Sequence, residues 1–221
     1  MLTVHHLNNS RSQRVLWLLE ELGLPYEIVR YQRGSDMRAP KELRAIHPLG
    51  KSPVITDNGK TIAESGAIIE YLTENYGDGR LIPRPNTPER LRYTYWLHYA
   101  EGSAMPPLLL KLLFTLMPKR APALLRPIVR KVSSQALTTL VNPQLKQHMA
   151  YWEEELAKST WFAGNEFSAA DIQMSFPLEA AAARGGLEQG HPNAMGFLER
   201  IHARPAYQRA LEKGGPYEVG R

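Results

Sequence analysis

Residues 48–72, PLGKSPVITDNGKTIAESGAIIEYL, contain two strand-like runs and the start of a helix. Val54-Ile55-Thr56 and Lys60-Thr61-Ile62 flank Asp57-Asn58-Gly59. Asn-Gly between such runs is the strongest short-range hairpin signal, so these two strands read as antiparallel. Ala67, Ile68, Tyr71 and Leu72 follow as an apolar stripe at helical spacing, on a helix that ends near Gly77. Upstream, Tyr26–Tyr31 (YEIVRY) is β-branched and aromatic enough for a strand, and Leu2–His6 reads as another that stops at Asn8-Asn9-Ser10. Between them Val15, Leu18, Leu19 and Leu22 fall at i, i+3, i+4 and i+7. Gly23 then sits where helices commonly end, with Pro25 just beyond. A helix between two strands makes them parallel, a βαβ unit. A polar stretch, Gln32–Pro40, leads to a short helical piece around Lys41–Ile46. Residues 1–76 therefore read β-α-β-α-β-β-α.

Glycines 77 and 79 and prolines 83, 85 and 88 mark residues 77–88 as a linker. Beyond it no strand-like alternation occurs. Helical stretches are expected over 89–117, 123–157 with breaks at Pro127 and Pro143, 168–184, 194–203 and 205–213, which makes 89–221 an all-helical unit. Ser168-Ala169-Ala170-Asp171 has the pattern of a capping box with Asp in place of Glu, and Phe167 and Ile172 stand where a hydrophobic staple would pack.

At 221 residues the chain has room for one large domain or two small ones, and 43% hydrophobic with 22% charged residues is a globular composition. There is no cysteine, which excludes disulfides, thiolate metal sites and a cysteine nucleophile. The richest apolar run, Leu108–Met117, is interrupted by Lys111 and ends at Pro118, short of a membrane span. The polar first fifteen residues do not resemble a signal peptide, so the sequence reads as a soluble, cytoplasmic protein. The net charge of +5 is unevenly placed. Between Glu101 and Glu153 there is no carboxylate, while Lys111, Lys119, Arg120, Arg126, Arg130, Lys131 and Lys146 are all basic. Such a face would suit an anionic ligand, a phosphate backbone or a membrane surface, although a solvated helical face is the simpler reading. No aromatic platform for nucleic acid is interleaved with it.

This order of elements resembles the cytosolic glutathione S-transferase family, of the serine type and bacterial or fungal-like, over nearly the whole chain. Four segments carry the resemblance: Asn9-Ser10-Arg11-Ser12-Gln13-Arg14-Val15, Pro48-Leu49-Gly50-Lys51-Ser52-Pro53-Val54, Glu64-Ser65 followed by Gly66–Leu72, and Phe167–Ile172. It implies an α/β thioredoxin-like N-terminal domain (1–76), a linker (77–88) and an all-α C-terminal domain (89–221). It also implies glutathione as co-substrate, a hydrophobic electrophile as the second substrate, and a homodimer. No nucleic acid is implied as partner.

The resemblance assigns residues as well. Ser10 would donate a hydrogen bond to the glutathione sulfur, helped by the positive end of the first helix, to favour the thiolate. Ser10 and Gln13 also have the spacing of a capping box, so Ser10 as a mere N-cap is the competing reading. In a shifted register Asn9 or Ser12 would make the contact. Ser52, before a cis Pro53, would present its backbone to the cysteinyl part of glutathione. Lys51 would meet the glycyl carboxylate, and Glu64 and Ser65 the γ-glutamyl end. Tyr93, Trp96, Tyr99, Ala100 and Met105, near helical spacing, are the candidates for the electrophile site. His5 and His6 are adjacent on a strand and point to opposite faces, so no metal is expected.

The function implied is transfer of the glutathione thiolate to an electrophile by conjugate addition or substitution, with hydroperoxide reduction as a side activity. Two alternatives stay open: a module of this fold that has lost turnover and serves as an interaction domain, and a glutathione-dependent disulfide reductase or isomerase.

Overall fold

Strands β1 (Thr3–Leu7) and β2 (Glu27–Tyr31) lie parallel in the computed structural model, with Thr3 opposite Glu27 and Leu7 opposite Tyr31. The structure describes residues 1–34, 39–188, 190–217 and 219; residues 35–38 of the polar stretch 32–40 lie outside the described residues. Helix α1 (Ser12–Leu22) supplies the crossover. It ends where Gly23 takes φ 67°, a left-handed conformation that suits glycine, and the amides of Gly23 and Leu24 close onto the carbonyls of Glu20 and Leu19. After a single turn, α2 (Leu43–Ile46), come β3 (Val54–Asp57), antiparallel to β1, and β4 (Lys60–Ala63), antiparallel to β3. The sheet order is β2-β1-β3-β4. Asn58 and Gly59 have φ of 47° and 79°, both positive, as a tight two-residue hairpin requires.

Helix α3 (Ser65–Tyr76) turns Ile68, Ile69 and Leu72 inward. The stripe read from sequence was one residue off, since Ala67 is exposed and Tyr71 is half-buried with its hydroxyl bonded to Asp57. A tyrosine at the sheet margin keeps its polar tip paired, while Ile69 takes the core position.

Helices fill the rest. α4 (Pro88–Tyr99) runs through a π-helical turn (Ala100–Ala104) into α5 (Met105–Arg120). α6 (Arg126–Ala136) runs through a second π turn (Leu137–Val141) into α7 (Asn142–Lys158). α8 (Ala169–Arg184), α9 (Pro192–His202) and α10 (Pro205–Gly214) complete the order. Pro127 opens α6, as a proline at a first turn can, but Pro143 does not break its helix. A proline lacks an N–H and its ring crowds the carbonyl four residues back. Both π turns lie immediately upstream of such prolines, Pro106 and Pro107 in one case and Pro143 in the other, where i→i+5 bonding re-spaces the carbonyls so that the helix continues. α8 starts as expected: the Asp171 carboxylate accepts from the amides of Ser168 (2.8 Å) and Phe162 (2.9 Å) and from the Ser168 hydroxyl (3.1 Å).

α1 is buried almost all round, and the reason is α10. Leu16 and Trp17, outside the stripe read from sequence, are covered by the second half of the chain. Trp17 meets Tyr207 edge-on at 5.1 Å. Glu20 pairs with Arg209 (2.8 Å) and Lys213 (2.5 Å), and Glu21 with Arg204 (2.5 and 2.9 Å). Acidic residues at a helix C-terminus oppose the helix dipole, and α10 supplies the cations that reverse the penalty.

His6, in β1, is buried against the same helix. Burial pushes its pKa down from 6.5 to about 4, beside an opposing hydrogen bond to the Gly214 backbone and repulsion from Arg30. A histidine kept neutral in the fold but protonated when unfolded stabilises above pH 6.5, and that stability is lost as pH falls toward 4. The expected loss is about 3 kcal/mol over that window. Urea unfolding of wild type and His6→Gln at pH 7.5, 5.5 and 4.5 should show a steeper decline for the wild type; parallel declines would remove His6 as the cause.

Candidate functional site

A cleft of about 200 Å³ opens where three sequence-distant segments meet. One wall is the loop before β3, with His47, Leu49, Lys51 and Ser52-Pro53; a second is the β4–α3 junction, with Ala63, Glu64 and Ser65; Arg11 and Glu101 close it from α1 and the first π turn. The Ser52–Pro53 peptide bond is cis, as the resemblance implies, and the Ser52 hydroxyl donates to the His5 carbonyl at 3.0 Å.

Glu64 precedes α3 with φ 71° and ψ 125°, an unusual conformation for a residue with a side chain and one that clusters at functional sites. The Glu64 side chain does not cap α3, and among the described residues no other side chain is bonded to the amides of its first turn. Ser65 is buried, and its oxygen accepts from Arg14 Nη2 at 3.1 Å and Gln173 Nε2 at 3.4 Å. Both bonds use lone pairs, which leaves the hydroxyl proton to be donated into the cleft.

Arg14 is 1% exposed. Its guanidinium also donates to the Gln173 carbonyl and to Glu101 Oε1, each at 2.5 Å. Arg11 Nε reaches the same Glu101 oxygen at 2.9 Å. Burial would push the Glu101 carboxyl up, but the two arginines outweigh it and hold it below its ordinary value. The cleft floor is therefore a charge-compensated lattice, and Lys51 and Glu64 stand exposed at its rim.

Ser10 does not line this cleft; its neighbour Arg11 does. The Ser10 hydroxyl is buried, donates to the Leu7 carbonyl at 2.8 Å, lies 2.8 Å from Ser12 Oγ, and accepts from the Ser12 amide at 3.2 Å. Ser12 Oγ lies 2.8 Å from His6 Nδ1. No Ser10–Gln13 capping box forms. Gln13 carries a buried side-chain amide without a hydrogen-bond partner among the described residues, and α1 begins at Ser12 with Arg11 as its uncapped N-cap.

The aromatic stripe of α4 corrects another expectation. Tyr93, Trp96, Tyr99, Ala100 and Met105 are all 9% exposed or less and belong to the helical core, not to the cleft. α7 and the loop after it cover that face: Trp96 stacks on Tyr151 at 5.3 Å and packs on Phe162 at 4.6 Å, and Tyr99 accepts from Trp152 Nε1 at 3.1 Å. In a unit made only of helices, a stripe of large aromatics goes first to helix–helix packing. Arg11, His47, Leu49, Ala63 and Glu101 line the cleft without having been assigned from sequence, and Arg11 and Glu101 are the charged pair among them. Arg11 sits inside a quoted motif, but Glu101 joins it only through the tertiary fold.

Residues 1–74 match the family described as "Glutathione S-transferase, N-terminal domain", and residues 116–205 match "Glutathione S-transferase, C-terminal domain". The chain is 37% identical to glutathione S-transferase 3 of Schizosaccharomyces pombe over 96% of its length and 88% of that protein's. It is 32% identical to glutathione S-transferase 1 of Saccharomyces cerevisiae over 96% and 95%. A crystal structure of a glutathione S-transferase from Actinobacillus pleuropneumoniae superimposes with a TM-score of 0.81 at 33% identity, covering 100% of this chain and 96% of that one.

The Arg14–Glu101 pair makes a stability prediction. Glu101→Gln keeps the side-chain size but leaves the buried guanidinium without its countercharge, and with the carboxylate a third exposed the expected cost is about 2–3 kcal/mol. Adding Arg14→Met should recover part of that loss in chemical denaturation. Additive losses would mean that the pair is not coupled.

Proposed function

The chain belongs to the glutathione S-transferase family, and from that premise we propose that the cleft binds glutathione and holds its sulfur, as thiolate, at the amino end of α1. The observation that carries this reading is the meeting, in one small cleft, of a cis Ser52–Pro53, an uncapped helix N-terminus behind Glu64 and Ser65, and Lys51. Glutathione has an ammonium and a carboxylate at one end and a carboxylate at the other. Glu64 takes the ammonium, the Ser65 hydroxyl and the first amides of α3 take the γ-glutamyl carboxylate, and Lys51 takes the glycyl carboxylate. The backbone N–H and C=O of Ser52 hold the cysteinyl residue between them.

Ser10 activates the thiol by turning outward. Its proton is held by the Leu7 carbonyl and Ser12, both neutral acceptors, and a thiolate is the stronger acceptor because charge-assisted hydrogen bonds are about twice as strong. Together with the α1 dipole, a reduction of two pKa units asks for about 2.7 kcal/mol. The thiolate then attacks a hydrophobic electrophile by addition or substitution. With a hydroperoxide it attacks the terminal oxygen, releasing an alcohol and leaving a sulfenic acid that a second glutathione converts to the disulfide and water. The exposed Leu91 and Tyr95 on α4 supply apolar surface for a homodimer, and the chain is expected to sediment at twice its monomer mass.

Two substitutions test the site. Ser65→Ala should weaken glutathione binding in calorimetry by about 1–3 kcal/mol, with a smaller change in stability from the lost Arg14 and Gln173 contacts. Equal loss of affinity and fold would reduce Ser65 to a helix-start residue. Because the chain has no cysteine, ultraviolet thiolate absorbance carries no contribution from protein thiols, and subtracting a free-glutathione titration leaves the bound thiol. Ser10→Ala should return its titration toward that of free glutathione and slow conjugation by about 10- to 1000-fold at neutral pH, while binding of S-methylglutathione stays the same. A Ser10→Ala titration unchanged from that of the wild type would move the role to Asn9 or Ser12. A wild type that binds glutathione without ionising it would favour the interaction-module alternative.

A further inference from the structure

Helices α5 and α6 form a hairpin whose outer half carries its amphipathic pattern reversed. The side of α6 facing α5 is polar: Arg126, Arg130, Ser133 and Ser134 line the groove between the two helices. The opposite side is apolar and open. Leu125, Ile128 and Val132, at i, i+3 and i+7, are 49%, 64% and 58% exposed, and Leu124 at the tip is 89% exposed. A helix built only for a soluble core turns such a stripe inward. Here it faces outward beside the exposed Arg120 and Lys131, while Lys119 and Arg130 extend from the groove side of the same hairpin tip, within a segment that contains no carboxylate between Glu101 and Glu153.

We propose that the tip of the α5–α6 hairpin docks on the surface of an anionic lipid bilayer, with the Leu125–Ile128–Val132 face at the acyl boundary and the surrounding cations among the headgroups. The charge pattern selects this occupant over a second copy of the chain. Two copies joined through this face would bring like charges together, and residues 1–76 carry nine acidic and nine basic residues and so no net countercharge. A bilayer supplies an apolar interior under an anionic surface, the two features this face lacks a partner for, and each cation near such a surface contributes about fivefold in binding. No helix among the described residues is long and apolar enough to cross a membrane, so the association is peripheral and reversible.

Co-sedimentation of the full chain with extruded vesicles tests the proposal. Vesicles of phosphatidylcholine containing phosphatidylglycerol should bind at least about tenfold more tightly than phosphatidylcholine alone, and the difference should shrink as salt is raised. Ile128→Glu combined with Val132→Glu should abolish binding to both while leaving the thermal midpoint and the sedimentation mass unchanged, because neither side chain is packed. A second variant, with Lys119, Arg120, Arg130 and Lys131 all changed to Gln, should lose the preference for anionic vesicles. Absence of binding to anionic vesicles, or equal binding to both lipid compositions, would overturn the proposal. So would a lower sedimentation mass in the glutamate variant, which would assign the face to a second copy.

Discussion

One guanidinium ties the two halves of this protein together. Arg14 sits inside α1, almost wholly out of water, and its donors reach Ser65 at the start of α3, the Gln173 carbonyl of α8 and the Glu101 carboxylate of the first π turn. A buried charge is tolerated only when it is paired and hydrogen-bonded, so each partner is held where Arg14 needs it. Two of those partners, Ser65 and Glu101, line the cleft, and Arg14 holds them from behind. Burial pulls the Arg14 pKa down and Glu101 opposes it. The pairing that relieves the buried charge thus also fixes where Ser65 and Glu101 stand in the cleft wall.

Around that centre the fold solves two local problems with similar means. α1 ends in acidic residues where a helix dipole would prefer cations, and α10 brings Arg204, Arg209 and Lys213 against them. The two long helical stretches meet prolines partway along, and a π turn before each lets the helix run on. The first of these turns also presents Glu101 to the cleft, so the device that accommodates Pro106 and Pro107 contributes a residue of the site.

The turn between β1 and α1 is built as a chain of polar groups. Ser10, Ser12 and His6 lie 2.8 Å apart in succession, all buried, and the Leu7 backbone shares in their bonds. The chain satisfies itself internally, as buried hydroxyls must.

Much of this was legible in the residues alone. The Asn58-Gly59 turn, the Gly23 stop, the Ser168–Asp171 helix start and the order of elements along the first 76 residues follow from local chemistry, because positive φ, capping and period-two patterns act over a few positions, whereas the β1–β3 pairing that fixes the sheet order does not. The cis bond before Pro53 and the presence of Ser52, Lys51, Glu64 and Ser65 around one space were legible through the resemblance, since contiguous motifs carried them. Other features depended on what packs against what. The burial of Leu16 and Trp17, the one-residue shift of the α3 face and the loss of the α4 aromatics to the core could not be read from helical spacing, which marks a stripe but not the neighbour that covers it. Glu101 joins Arg11 across ninety positions, and Ser10 turns inward to Leu7 rather than toward the cleft. Local sequence determines which conformations and contacts a segment prefers; only the assembled tertiary structure decides which of its faces meets another charge, another ring or open water.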